Sequence, residues 1–111
     1  DQAIANLGRD REKRAEAYAI RALLQENFED KIADLRQAMR DFPESIEVQR
    51  TLFAFLLDKS RYQEVYEVGK ELLAANAKNP IALQATVSAL LEMNRNEEAL
   101  KLLNDRIEEN S

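Results

Sequence analysis

The chain contains no cysteine, no histidine and no tryptophan among its 111 residues. Without cysteine it has no disulfide bond, no thiol nucleophile and no thiolate metal ligand. Without histidine it lacks the most common general base and metal ligand near neutral pH, together with every Ser-His or Cys-His nucleophile pair. We therefore expect a protein that is not an enzyme and that uses neither a cofactor nor a metal.

Glycine and proline are also scarce, with two of each. This scarcity leaves little room for long loops, and the many Ala, Leu, Glu, Gln, Lys and Arg residues favour helix. No segment reaches the roughly 18 to 20 uninterrupted apolar residues that a membrane-spanning helix needs. No glycine-rich phosphate loop or Asp/Asn-rich calcium loop is present. These features predict an all-α, soluble protein without membrane insertion, and they do not distinguish the cytoplasm from the periplasm.

The formal net charge is −5. An acidic chain is a poor ligand for nucleic acid, because phosphate binding needs a concentrated basic surface. Acidic pairs such as Glu97-Glu98 and Glu108-Glu109 do not indicate a metal or catalytic site, since adjacent helical residues point about 100° apart. We interpret these pairs as solvated helix faces.

One ten-residue pattern, which reads as a helix end, a tight turn and a helix start, occurs three times. The copies begin at Leu23, Leu56 and Leu90. Each copy starts with two leucines, and a small or amide residue follows at the break. The break residues are Asn27, Ser60 and Asn94. A spacing of 33 and then 34 residues is typical of stacked helical hairpins, because no single hairpin can bury its own apolar face.

Between these turns, apolar residues recur with the 3.6-residue period of a helix. In the first helix we expect the core-facing residues to be Ala15, Ala19, Ile20, Leu23 and Leu24. In later helices the corresponding residues include Ile46, Leu91, Leu100 and Leu103. Pro43 ends the second helix, Ser45 can cap the third, and Asn79-Pro80 is a strong start signal for the fifth.

The turns divide the chain into three predicted repeats, residues 13–45, 46–79 and 80–111. Residues 1–12 precede them and have two interpretations. Either Gly8 caps the end of a preceding helix, or it is carried inside one long first helix at a cost of about 1 kcal/mol relative to alanine.

This helix-turn-helix unit resembles the tetratricopeptide repeat, whose pattern is W-x2-L-G-x2-Y, then A-x3-F, then P. In the third copy the corresponding residues are Leu83, Thr86, Val87, Leu90, Ala99 and Leu103. Literal matches to the pattern are Leu52, Ala99 and Pro43. The family keeps its eighth position small, whereas this chain has Ile20, Phe53 and Val87 there. The departure implies that paired helices lie further apart or cross differently.

The resemblance implies a right-handed α-solenoid of about three antiparallel hairpins with a non-catalytic interaction or scaffold function. In this family the first helix of each pair usually lines a concave groove that takes a peptide or a partner helix. By this mapping the partner-binding residues are Arg14, Tyr18, Arg21, Arg50, Gln84 and Ser88. An arginine fork suits a carboxylate, so an acidic peptide is one candidate partner.

These groove residues also have plainer interpretations. The arginines are then ordinary solvated side chains, and Tyr18 is a partly buried aromatic rather than a stacking platform. Two further functions stay open for the chain as a whole. One is self-association into a homo-oligomer through Ile4, Leu7 and the open ends of the array. The other is a regulatory or substrate-presenting role within a larger enzyme.

Overall fold

The computed structural model describes the backbone of residues 2–110 and the side chains of residues 9–105. Over this range the chain forms helices and no strand. The helices are α1 (Gln2–Leu24), α2 (Phe28–Asp41), α3 (Ile46–Asp58), α4 (Tyr62–Ala75), α5 (Pro80–Glu92) and α6 (Asn96–Asn110). The all-α prediction is confirmed.

The chain divides into two units, Asp1–Phe55 and Leu56–Ser111, with the boundary inside α3. In the first unit α1 packs against α2, and in the second α5 packs against both α4 and α6. These pairs are joined by three or four residues. Because such short connections leave no room for a crossover, the joined helices run antiparallel.

The bounds of the helices repeat at intervals of 34 residues. The even-numbered helices begin at Phe28, Tyr62 and Asn96. The odd-numbered helices end at Leu24, Asp58 and Glu92. The first interval is therefore 34 residues rather than the 33 inferred from the leucine pairs. Asn27 is the N-cap of α2, where its side chain accepts the N–H of Asp30 at 3.1 Å, and the residue in the place of Ser60 is Glu26.

The turns after α3 and α5 have the same backbone geometry. Ser60 and Asn94, which are 34 residues apart, have positive φ angles of 57° and 60°. In both turns this residue donates its N–H to the carbonyl three residues back at 3.0 Å, and the next residue donates to the carbonyl five back at 2.8 Å. This is the Schellman pattern that ends a helix with one left-handed residue.

The first helix agrees with one prediction and differs from another. α1 includes Gly8, which matches the interpretation in which the glycine lies inside one long first helix. The expected core residues Ile20 and Leu23 are each 60% exposed, and Leu24 is more exposed still. Ala15 is buried as expected, and Ala22, which was not among the predicted core residues, is fully buried. Ala15 belongs to a buried cluster with Ala38 and Val48.

Several later apolar residues were also predicted to face the core and do not. Ile46 is 54% exposed, and other exposed large side chains are Leu91, Leu100 and Leu103. In α5 the buried stripe again consists mainly of small residues, including Ala82, Ala85 and Ala89. The described parts of α1 and α5 therefore bury mainly small side chains, whereas large side chains such as Leu35, Leu52 and Leu56 are buried on α2 and α3.

Candidate functional site

A groove of about 640 Å³ lies along α1 and the start of α3 within the first unit. Its apolar lining includes Ala19, Ile20, Leu23, Phe42, Ile46 and Val48. Its volume falls in the range of about 300 to 1,000 Å³ that is usual for ligand pockets. The exposed Ile20, Leu23 and Ile46 thus lie around one concavity and are not scattered.

Four carboxylates stand among the same lining residues. They are Glu12, Glu16, Glu44 and Glu47. All four side chains are exposed, and among the side chains of residues 9–105 no lysine or arginine lines the groove. Within the part of the chain whose side chains are described, none of the four forms an ion pair. The groove therefore combines an apolar floor with uncompensated negative charge.

Helix geometry and one turn place these residues together. Glu12, Glu16 and Ile20 follow one another at i, i+4 and i+8, so they form one stripe along α1. On the other side, the chain leaves α2 at Phe42, whose N–H donates to Ala38 O at 3.0 Å. Glu44 therefore lies in the short turn that leads into α3.

The start of α3 is fixed by two side-chain bonds. Ser45 Oγ accepts the N–H of Val48 at 3.3 Å, which caps the helix. Gln49 Nε2 donates to Pro43 O at 2.7 Å. These bonds hold the turn and the first residues of α3, and so they place Ile46 and Glu47 at the edge of the groove.

The predicted residues of α1 lie on a different side of that helix. Arg14, Tyr18 and Arg21 do not line the groove. Tyr18 follows Glu16 by two positions, which is a rotation of about 200° around a helix. Arg50 of α3 is exposed and is also absent from the groove lining. These four predicted residues therefore do not line the groove that contains the exposed apolar side chains.

Arg21 has a carboxylate partner within its own unit. Its Nε donates to Asp34 Oδ2 at 3.0 Å, and its Nη2 donates to Oδ1 at 2.6 Å. Gln25 Nε2 adds a third bond to Oδ2 at 3.0 Å. The Arg21 hydrogen bonds are the main reason why the pKa of the buried Asp34 lies below its usual value, with burial opposing and Gln25 assisting. The Arg21 guanidinium is thus already bonded to the Asp34 carboxylate of α2.

Tyr18 and Arg14 also have partners across the α1–α2 interface. Tyr18 is half-buried and packs against the cluster formed by Ala15, Ala38 and Val48. The Arg21 guanidinium lies over the ring of Tyr18, with its Cζ 5.2 Å from the ring centroid. Arg14 Nε is 4.0 Å from Asp41 Oδ2. These contacts give each side chain a structural role in joining α1 to α2.

Gln84 and Ser88 lie in the second unit. Both line a shallow depression of about 300 Å³ on α5. The apolar residues beside them are Pro80, Leu83, Val87 and Leu103. The structure therefore brings this predicted pair together, and it places the exposed Leu103 of α6 beside them.

A further pocket in the second unit has a different character. It has a volume of about 540 Å³ and contains Tyr66. Arg95 Cζ lies 4.7 Å from the Tyr66 ring centroid, and Lys70 Nζ lies 5.3 Å from it. Arg95 also makes two bonds to the Glu98 carboxylate, at 2.9 and 2.7 Å, which lower the pKa of Glu98. This pocket has mixed charge and no net preference for a cationic or anionic ligand.

This groove was not predicted, because the apolar pattern placed Ile20, Leu23 and Ile46 in the core. A signal was available on α1, which carries one stripe of alanines and one stripe of large apolar residues. The second stripe shares its face with Glu12 and Glu16, as an exposed stripe would. The burial of Asp34 had no comparable signal, since nothing in one sequence pairs it with Arg21.

Comparison with protein-family models, with curated protein sequences and with solved structures finds no match to this chain. Among residues 9–105 no group of three or more acidic side chains is placed to hold a metal ion. In the described part of the chain, no helix combines the length and the apolar character needed to cross a bilayer. The functional interpretation therefore rests on the surfaces described above.

Proposed function

We propose that this chain is a non-catalytic protein-interaction or scaffold domain that holds a segment of a partner protein in the groove between α1 and α3. The observation that carries the proposal is the exposure of Ile20, Leu23 and Ile46 around one groove. Large apolar side chains gathered in one exposed patch mark interaction sites in proteins of this size. Burying these side chains against a partner stabilises the complex by about 25 cal/mol per Å² of apolar surface removed from water.

We further propose that the six helices form three tetratricopeptide-like hairpins, α1–α2, α3–α4 and α5–α6, in a right-handed α-solenoid. The 34-residue recurrence of helix bounds supports this, because that is the period of the family. The matching turns at Ser60 and Asn94 support it as well. In such an array the first helices of adjacent pairs, α1 and α3, share the partner-binding face.

Cross-linking from the groove tests the interaction function. Glu16, which lines the groove and is exposed, is the position for a photo-reactive cross-linking residue. Covalent capture of the same protein segment from extract of the source cells is expected. It should be lost when Ile20→Ser and Leu23→Ser are added and kept when Leu91→Ser and Leu100→Ser are added instead. Equal capture by all three proteins would refute the groove as the binding site.

An acidic peptide on the arginine surface is the alternative within the same function. It would bind at Arg14, Arg21 and Arg50, and it would compete with Asp34 for the Arg21 guanidinium. A protein carrying Arg21→Glu and Arg50→Glu separates the two sites. Loss of the captured partner from this variant, with capture retained by the Ile20→Ser, Leu23→Ser variant, would favour the arginine surface.

Self-association is a second candidate function, favoured by the exposed leucines of the second unit. Leu91, Leu100 and Leu103 are exposed on α5 and α6. Ile4 and Leu7, which were also proposed for this role, lie outside the residues whose side chains are described. Sedimentation equilibrium over a range of protein concentrations tests it. A mass that rises with concentration and returns to that of a monomer in Leu91→Ser, Leu100→Ser would support self-association.

A further inference from the structure

We propose that the occupant of the α1–α3 groove is a basic amphipathic helix of a partner protein. This inference rests on the proposed function, and it adds the chemistry and conformation of the bound segment. The apolar face of the helix covers Ile20, Leu23 and Ile46, and its lysines or arginines reach the carboxylates around the groove. The partner chemistry is thus opposite in charge to the acidic peptide that the arginine surface would select.

Charge complementarity decides the sign of the partner. Among the side chains that the structure describes, four carboxylates and no cationic group line the groove. An acidic partner would bring like charges together at close range, which weakens binding. A basic partner instead supplies the counter-charges that Glu12, Glu16, Glu44 and Glu47 lack within the described side chains.

The walls of the groove favour a helix over an extended strand. An extended peptide needs partners for its backbone N–H and C=O groups. The α1 wall is helical, and its backbone groups are already bonded along the helix. At the turn into α3, the N–H of Ser45 donates to Phe42 O at 3.2 Å and the N–H of Gln49 donates to Ser45 O at 3.1 Å. The two hydroxyls in the lining are also engaged, since Thr51 Oγ1 donates to Glu47 O at 2.8 Å and Ser45 Oγ accepts from Val48 N–H. A helical partner satisfies its own backbone and needs only an apolar face and charges.

The length of the groove suits a short helix. Its lining on α1 extends from Glu12 to Leu23, which spans about 16 Å at about 1.5 Å per residue. A partner helix of about three turns covers that distance. Such a helix presents apolar residues at i, i+3, i+4 and i+7 to a groove, and its flanking positions lie over the carboxylates.

Two synthetic probe peptides test the proposal directly. Both are helical peptides of about 18 residues with leucines at i, i+3, i+4 and i+7. One carries lysines at the flanking positions and the other carries glutamates, and their helicity is matched by circular dichroism. Fluorescence anisotropy with the whole chain measures the two dissociation constants at low salt. The lysine peptide is expected to bind at least about tenfold more tightly than the glutamate peptide.

Two double variants locate the binding and its charge dependence. Glu16→Lys with Glu47→Lys reverses charges in the groove, and Glu67→Lys with Glu71→Lys makes the same change in charge at exposed positions on α4. The first variant is expected to bind the lysine peptide at least about tenfold more weakly and the glutamate peptide more tightly. The new lysines at positions 16 and 47 would repel the lysine peptide. The second is expected to change either constant by less than about threefold, because neither Glu67 nor Glu71 is among the residues that line the groove.

The outcomes separate this inference from the proposed function. If both peptides bind equally and Ile20→Ser, Leu23→Ser abolishes both, the groove binds helices but does not select charge, and only the inference is overturned. If the glutamate peptide binds more tightly and Arg21→Glu, Arg50→Glu abolishes it, the arginine surface is the site. If neither peptide binds while the cross-linker at Glu16 still captures a partner, the basic helix is wrong and the interaction function stands.

Discussion

Gly69 of α4 and Thr86 of α5 meet with no room for a methyl group between them. A Cβ built on Gly69 would overlap Thr86 Oγ1 and lie 3.1 Å from Thr86 Cβ. Thr86 cannot easily give way, because it is buried and its hydroxyl donates to Ala82 O at 2.6 Å. The close packing of α4 on α5 therefore depends on the absence of a side chain at Gly69.

Replacing Gly69 by alanine should destabilise the protein, although alanine is the better helix former. We expect Gly69→Ala to lower the free energy of unfolding by about 1 to 3 kcal/mol, the usual cost of overpacking. Urea unfolding followed by circular dichroism measures the change. A strain-free site would instead gain about 0.5 to 1 kcal/mol from the substitution, so a gain in stability would contradict the contact.

A double-mutant cycle assigns that cost to the pair. Thr86→Ala removes the Oγ1 atom that the new Cβ would meet, so Gly69→Ala should cost less in the Thr86→Ala background than in the wild type. The coupling free energy between neighbours in contact is typically about 0.5 to 3 kcal/mol. Additive effects of the two substitutions would show that the strain arises elsewhere.

Local features of this fold could be predicted from the sequence, whereas contacts between helices could not. Turn signals such as Asn79-Pro80 and Pro43 placed helix ends correctly, because they act through local backbone chemistry. The resemblance implied that Ile20, Phe53 and Val87 would keep paired helices apart. The structure has a close approach of α4 and α5 at Gly69. The contact of Gly69 with Thr86 is a tertiary contact that no local pattern encodes.

The choice of buried face on α1 failed for a related reason. The 3.6-residue period identifies an apolar face but does not say which of two apolar stripes is covered. The prediction placed Ile20 and Leu23 in the core together with Ala15, whereas the structure buries Ala15 and Ala22 and exposes the two large residues. The groove could therefore not be predicted, because its lining includes large apolar residues that the prediction had placed in the core.

The Asp34 carboxylate should make stability depend on pH. Because Arg21 lowers the pKa of Asp34 in the folded state, the charged pair stabilises the protein above the unfolded-state pKa of about 3.9. That stabilisation is lost as the pH falls below about 4 and through the folded-state pKa. Asp34→Asn is therefore expected to be less stable than the wild type at pH 7, with the difference shrinking toward pH 3.

Thermal or urea unfolding between about pH 3 and pH 7 measures this convergence. Asp58→Asn, at an exposed position at the end of α3, is the matched control and should follow the wild type more closely. A constant difference between Asp34→Asn and the wild type at every pH would show that the loss reflects packing rather than the charge of Asp34.

The left-handed residue after α3 offers a stabilising substitution. Ser60 has φ 57°, a conformation that costs a residue with a Cβ more than it costs glycine. We expect Ser60→Gly to raise the free energy of unfolding by about 0.5 to 1 kcal/mol. Asn94→Gly should give a smaller gain, since asparagine tolerates this region better than serine does.

The urea midpoints of both variants test the turn geometry. Ser60→Val is the opposing control, because a β-branched residue is a genuine outlier at positive φ, and it should be the least stable of the series. If Ser60→Gly and Ser60→Val were equally stable, the residue would not hold a left-handed conformation in solution.

The buried face of α1 can be tested by substitutions on its two stripes. Ile20→Ser with Leu23→Ser should change the free energy of unfolding by less than about 1 kcal/mol, because substitutions at exposed positions are usually small in effect. Ala22→Leu should cost about 1 to 3 kcal/mol through overpacking, since Ala22 is fully buried. Urea unfolding of the three proteins gives the comparison. If the serine pair were instead the more damaging change, Ile20 and Leu23 would belong to the core, and the groove that they line would not be available to a partner.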